Sequence, residues 1–177
     1  VQSAKIGGTS KNGVRIIEHP DVRRNLLLMK SQVEAFRGLA YHATGNIDIA
    51  RRAEDSEDAG VAQRRVDLLT PIVKGWGTDI ACEIASTGVQ IHGGMGFVEE
   101  TGAAQHYRDA RILPIYEGTN GIQAADLVGR KLSMRSGGVI ADELNRFQHV
   151  ANGLAERDGM ATFATNLTSA IETCRRA

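Results

Sequence analysis

The sequence predicts an all-α protein, with helices packed as an up-and-down bundle, on three observations. Apolar residues recur at steps of three and four through most of the length, no segment alternates apolar with polar residues as a half-buried strand does, and glycine pairs or short polar runs separate the periodic segments. The first stripe is Val22, Leu26, Met29, Val33, Phe36, Ala40, Ala43, Ile47 and Ala50. It predicts a helix over about 20–52, with Pro20 suited to the first turn and Asp21 complementing the positive helix end. Gly45 and Asn46 weaken it locally. The acidic run Glu54 to Gly60 has nothing to bury and reads as a solvated turn. A second stripe, Val66, Leu69, Val73, Trp76, Ile80, Ile84 and Ile91, predicts a helix over about 61–91 that kinks near Pro71. Two such rods joined by a short turn pack antiparallel.

Gly93, Gly94 and Gly96 end the second helix, and Thr101–Ile112 is a shorter helix stopped by Pro114. Another starts at Thr119 or Asn120, either of which can cap it, and runs to Leu132. After Gly137-Gly138, two further apolar faces follow, Ile140 to Leu154 and Met160 to Cys174.

Charge and composition exclude several classes of function. Twenty-one Lys and Arg balance twenty-one Asp and Glu, which leaves no net positive field for a nucleic-acid backbone. No apolar run approaches the roughly 20 residues of a membrane span. Cys82 and Cys174 stand apart from each other and from any Cys/His cluster, so they read as buried free thiols in a reducing, cytoplasmic setting. The histidines show no metal-ligand spacing, and no metal is expected. The basic pairs, Arg64-Arg65 among them, are interleaved with acids and read as solvated helix faces. The chain opens on Val1 rather than Met, and glycines and polar residues precede the first periodic segment. Residues 1–18 therefore read as an irregular lead-in after a cut within a longer protein.

Chemistry concentrates in two stretches: Val89-Gln90-Ile91-His92-Gly93-Gly94-Met95-Gly96-Phe97, and Tyr107-Arg108-Asp109-Ala110-Arg111-Ile112 running on to Ile115-Tyr116-Glu117-Gly118-Thr119. The glycines lack side chains, so a phosphate or ribose can reach backbone N–H groups there, although a helix end and turn would use glycine equally well. Glu117 lies on a connection beside Ile115 and Tyr116. A carboxylate held in an apolar, water-poor setting gains proton affinity and becomes a useful general base; a solvated residue near a helix N-terminus is the plainer reading.

These linked motifs resemble the C-terminal helical domain of the flavin-dependent acyl-CoA dehydrogenases, most densely over residues 82–132. The resemblance implies a domain over 19–132 carrying the flavin and catalytic motifs, and a C-terminal helical extension over 133–177 as in some longer members. It implies FAD as cofactor, with Gln90, Gly93 and Gly94 reaching the FAD of a neighbouring subunit, and hence a homo-oligomer. Thr119 resembles a flavin-contacting threonine, whereas Gly121 stands where many members carry a glutamine. By the same resemblance Glu117 is the catalytic base that removes the α-proton of an acyl-CoA thioester while the β-hydrogen leaves as hydride, and an electron-transferring flavoprotein takes the electrons. Arg108 and Asp109 read as structural, pairing within or beneath the Glu117 loop. An acyl-CoA oxidase, or a helical interaction module that kept the motif without the chemistry, are the alternatives. The chain alone is expected to be catalytically silent, with Glu117 open to solvent.

Overall fold

A computed structural model describes residues 13–176. Among these, helices account for nearly everything and no β-strand forms. Seven helices follow in order: α1 (Pro20–Arg52), α2 (Ser56–His92), α3 (Gly94–Phe97), α4 (Ala103–Ile112), α5 (Asn120–Asp126), α6 (Gly138–Ala155) and α7 (Ala161–Arg176). Of the expected lead-in, residues 1–12 lie outside the described ones, and Ile16–Glu18 make a 3-10 turn before α1. Arg23 fastens that turn by donating to the carbonyls of Ile17 (3.0 Å) and Glu18 (3.1 Å).

Helix α1 has the predicted bounds and stays continuous through Gly45 and Asn46. Helix α2 starts earlier than the apolar pattern suggests, because the acidic run is its first turn rather than a free loop. The Asp55 carboxylate accepts from the N–H groups of Glu57 (2.6 Å) and Asp58 (3.0 Å), satisfying donors that the helix itself cannot. Pro71 sits inside α2. After α5 the chain widens into a π-helical turn at Leu127–Lys131, where Leu132 N–H reaches the Leu127 carbonyl (2.9 Å). Arg130 donates to Asp126 across this turn and holds that carboxyl below its ordinary value.

The chain forms two compact units. One comprises the described residues up to Thr44 with Ile72–Gln123; the other runs over Gly45–Pro71 and from Ala124 onward. In the first, α1 and α2 lie antiparallel: Gln32 donates to Glu83 (3.4 Å) and, further along α1 and earlier in α2, Phe36 meets Trp76 edge-on at 6.2 Å. Gly77 is required at that crossing, since a Cβ there would stand 2.1 Å from the Phe36 ring. Trp76 remains 39% exposed. In the second unit α6 packs along α7 through Leu144, Ala151, Ala164 and Ile171, while Leu68 and Leu69 of α2 are buried. Each such buried leucine or isoleucine contributes about 1.5–3 kcal/mol.

The burial of an arginine and of the cysteines departs from expectation. Arg65 was read as part of a solvated face, but its side chain is only 17% exposed; it donates to Glu143 (2.8 Å), itself 5% exposed, and to Asn46 (2.8 Å). A buried carboxylate on α6 needs a cation, and α2 supplies it. Cys174 is exposed rather than buried, while Cys82 is half-buried, its Sγ donating to the Ala110 carbonyl (3.3 Å).

Candidate functional site

All five site residues predicted from the sequence belong to the first unit, where they occupy two places. The first is the end of α2. Gln90 is exposed in its last turn, and Gly93 follows with φ of +64°, a conformation that glycine adopts without strain. Gly93 N–H closes on the Gln90 carbonyl (3.1 Å), and Gly96 N–H on that of Gly93 (2.8 Å). The three glycines serve different ends. A Cβ at Gly96 would lie 2.2 Å from the Val89 carbonyl oxygen, so this glycine is needed to fold α3 back onto α2. At Gly93 and Gly94 a Cβ would meet nothing within 4 Å, leaving bare backbone facing open space. A groove of about 610 Å³ lies alongside, lined by Gln90, His92 and Gly93 together with Ile16, Asp21 and Asn25.

The second place is the connection from α4 to α5. Helix α4 ends at Ile112, and the Asn120 N–H closes the loop by donating to the Pro114 carbonyl (3.1 Å). Glu117 stands at its tip with φ of +50°, a left-handed conformation that costs a residue with a side chain about 1–3 kcal/mol, and Gly118 follows at +89°. The Glu117 carboxylate and its backbone N–H have no partner among the described residues. Glu117 is exposed, as are Ile115 and Tyr116 at 47% each, so this unit does not enclose it in apolar surroundings. Thr119 Oγ1 accepts from the Ile122 N–H (3.4 Å), the cap expected of it. The same residue lines a cleft of about 820 Å³ with Cys82, Glu83, Tyr107, Arg111 and Ile115.

Arg108 does not pair with Asp109 or beneath the Glu117 loop. It grips the carboxylate of Glu99 in a two-pronged pair (2.9 and 2.7 Å) and so ties α4 to the turn after α3. What fastens the Glu117 loop was not anticipated. Lys74 Nζ donates to the Leu113 carbonyl (3.0 Å) and to Asn120 Oδ1 (3.3 Å), and Asn120 Nδ2 donates to the Gly75 carbonyl (3.0 Å), Thr78 Oγ1 (3.0 Å) and Asp79 Oδ1 (2.7 Å). The available signal was a lysine set between Pro71-Ile72-Val73 and Gly75-Trp76, which marks the residue but not what it reaches. Among the described residues no group of His, Cys, Asp and Glu side chains could hold a metal ion, and no helix is long and apolar enough to cross a membrane.

An all-helical chain that carries a glycine-rich helix end and a carboxylate on a strained loop has the layout of a known domain. The family model for the acyl-CoA dehydrogenase C-terminal domain matches residues 4–132, and the chain belongs to that family. It is similar to 3-methylmercaptopropionyl-CoA dehydrogenase of Ruegeria pomeroyi, 46% identical over 98% of this chain and 31% of the relative. Butyryl-CoA dehydrogenase of Syntrophomonas wolfei is 42% identical over 77% of this chain and 22% of the relative. A caffeyl-CoA reductase-Etf complex subunit of Acetobacterium woodii is 31% identical over 68% and 28%. The chain thus spans less than a third of the length of these relatives.

Proposed function

We propose that this chain supplies the catalytic base and part of the cofactor-binding surface of a flavin-dependent acyl-CoA dehydrogenase, with Glu117 as the base. The observation that carries the reading is the state of Glu117: held in a left-handed conformation at the tip of a closed loop, with carboxylate and N–H both unengaged, in a chain of this family. Such a residue is strained into place for use outside its own unit. Its carboxylate takes the α-proton of an acyl-CoA thioester, and its N–H donates to the thioester carbonyl, which acidifies that proton.

FAD fits the bare backbone of this unit. Gly93 and Gly94 leave an approach that a Cβ would fill, and the exposed Gln90 amide beside them offers both a donor and an acceptor. These residues would hold one end of a neighbouring subunit's cofactor, and Thr119, in its separate cleft, would meet the chain's own. Since the Gln90 groove and the Glu117 loop are distinct places, the reading assigns them to the cofactors of two neighbouring subunits, hence a homo-oligomer. When bound, FAD accepts the β-hydrogen as hydride.

Other parts of the reading follow from the relatives. Those named above act on CoA thioesters by name, which supports an acyl-CoA substrate, and the Acetobacterium relative belongs by name to an Etf complex, which supports an electron-transferring flavoprotein as partner. We assign residues 19–132 to the family domain, with support from the match that ends at 132, and residues 133–177 to an extension of it. Two unpaired cysteines, one of them exposed, support a cytoplasmic setting.

The test is Glu117→Gln in the complete polypeptide that contains this chain. The variant should retain FAD and bind acyl-CoA with turnover down roughly 10²-fold or more. Turnover within threefold of wild type would show that Glu117 is not the base.

A further inference from the structure

We propose that Lys74, Thr78 and Asn120 form a clamp that positions Glu117, an inference that rests on the reading of Glu117 as the base. The loop from Pro114 to Asn120 is fastened to α2 at both ends. At its entry the Lys74 ammonium takes the Leu113 carbonyl (3.0 Å); at its exit the Asn120 side chain is held by Lys74, Gly75, Thr78 and Asp79, all within two turns of α2. Lys74 and Thr78 are four residues apart and so share one helix face, and the Thr78 hydroxyl is itself oriented by donating to the Lys74 carbonyl (2.7 Å).

Two features make this more than a helix cap. Thr119 already caps α5, so the Asn120 side chain is left for α2 alone. A part-buried ammonium that reaches only carbonyl oxygens is also a costly way to stabilise a loop, since an apolar residue would pack there without desolvating a charge. What the ammonium adds is location. It joins both ends of the loop at one point and thereby fixes where the tip, four residues past Leu113 and three before Asn120, presents its carboxylate. Proton abstraction is sensitive to such placement, because a misplacement of about 1 Å can cost on the order of 10²-fold in rate.

The experiment uses the complete polypeptide with Lys74→Met, Lys74→Arg and Thr78→Val, beside Glu117→Gln. For Lys74→Met the clamp predicts kcat down tenfold or more with KM and FAD content within twofold, and amide hydrogen exchange at Tyr116 and Asn120 accelerated at least tenfold. Lys74→Arg, which can still donate to both ends, should recover kcat to within threefold, and Thr78→Val should fall between. If Lys74→Met does not fold, Thr78→Val decides, with a kcat loss at constant KM as the expected result. A Lys74→Met kcat within twofold of wild type, in a background where Glu117→Gln abolishes turnover, overturns the clamp. So does a parallel loss of FAD and activity in all three variants without recovery by arginine, the mark of a merely structural role. Should Glu117→Gln keep wild-type turnover, the base reading fails on its own, while the amide exchange still judges whether Lys74 holds the loop.

Discussion

A Cβ added at Gly96 would stand 2.2 Å from the Val89 carbonyl oxygen, whereas one at Gly94 meets no atom within 4 Å. Two glycines of one motif therefore predict opposite phenotypes. Gly96→Ala should destabilise the fold by about 1–3 kcal/mol, read by denaturant unfolding, because backbone must move to make room. Gly94→Val should shift the melting temperature by less than ~2 °C yet strip FAD from the complete enzyme, since only an incoming ligand meets the new side chain. Unchanged flavin content in Gly94→Val would remove this backbone from the cofactor site. Glu117 allows a third contrast. Its φ of +50° is a conformation glycine adopts freely, so Glu117→Gly should raise stability by about 1 kcal/mol while abolishing turnover. At this scale the sequence marked the bare glycines after a helix and the carboxylate between Tyr116 and Gly118, and the structure sets the first at a helix end and the second on a loop with positive φ. Lys74 was not legible, because nothing in a helical stripe says that one cation will turn toward a loop 39 residues onward.

Helices were read from periodicity, and their errors fall where periodicity ends. The bounds of α1 agree because Pro20 and Arg52 flank an unbroken apolar stripe. The start of α2 does not, because its first turn, Ser56–Gly60, buries little and is held by the Asp55 cap rather than by packing. Asp55→Ala should accordingly cost about 1 kcal/mol, seen as a fall in melting temperature, and fray that turn without touching the Glu117 loop. The opposite weight is expected at Arg65. Removing its guanidinium as Arg65→Met takes a 2.8 Å ion pair from the buried Glu143, which should cost roughly 3 kcal/mol by chemical denaturation. Sequence alone could not pair Arg65 with a residue 78 positions away; an arginine beside Arg64 in an acid-rich region looks like surface until α6 is laid against it.

At the scale of the whole molecule, the chain leaves large apolar side chains uncovered, Phe97 at 82%, Leu27 and Val128 at 68% and Phe163 at 61% among them. Large uncovered apolar side chains favour association, so the 177-residue chain purified alone should be helical by circular dichroism, elute as a dimer or larger and show no flavin absorbance. The class of the fold was readable because it is written locally, as the period of the apolar residues. The division into two units was not, since each is assembled from separated stretches of the chain.

The central claim is that Glu117 removes the α-proton of an acyl-CoA. The most direct measurement separates that step from hydride loss by offering the complete enzyme, in D₂O, a CoA thioester whose β-carbon bears no hydrogen. Wild type should incorporate deuterium at the α-carbon, with Glu117→Gln slower by roughly 10²-fold or more at equal thioester occupancy. Incorporation by Glu117→Gln at the wild-type rate would contradict the account.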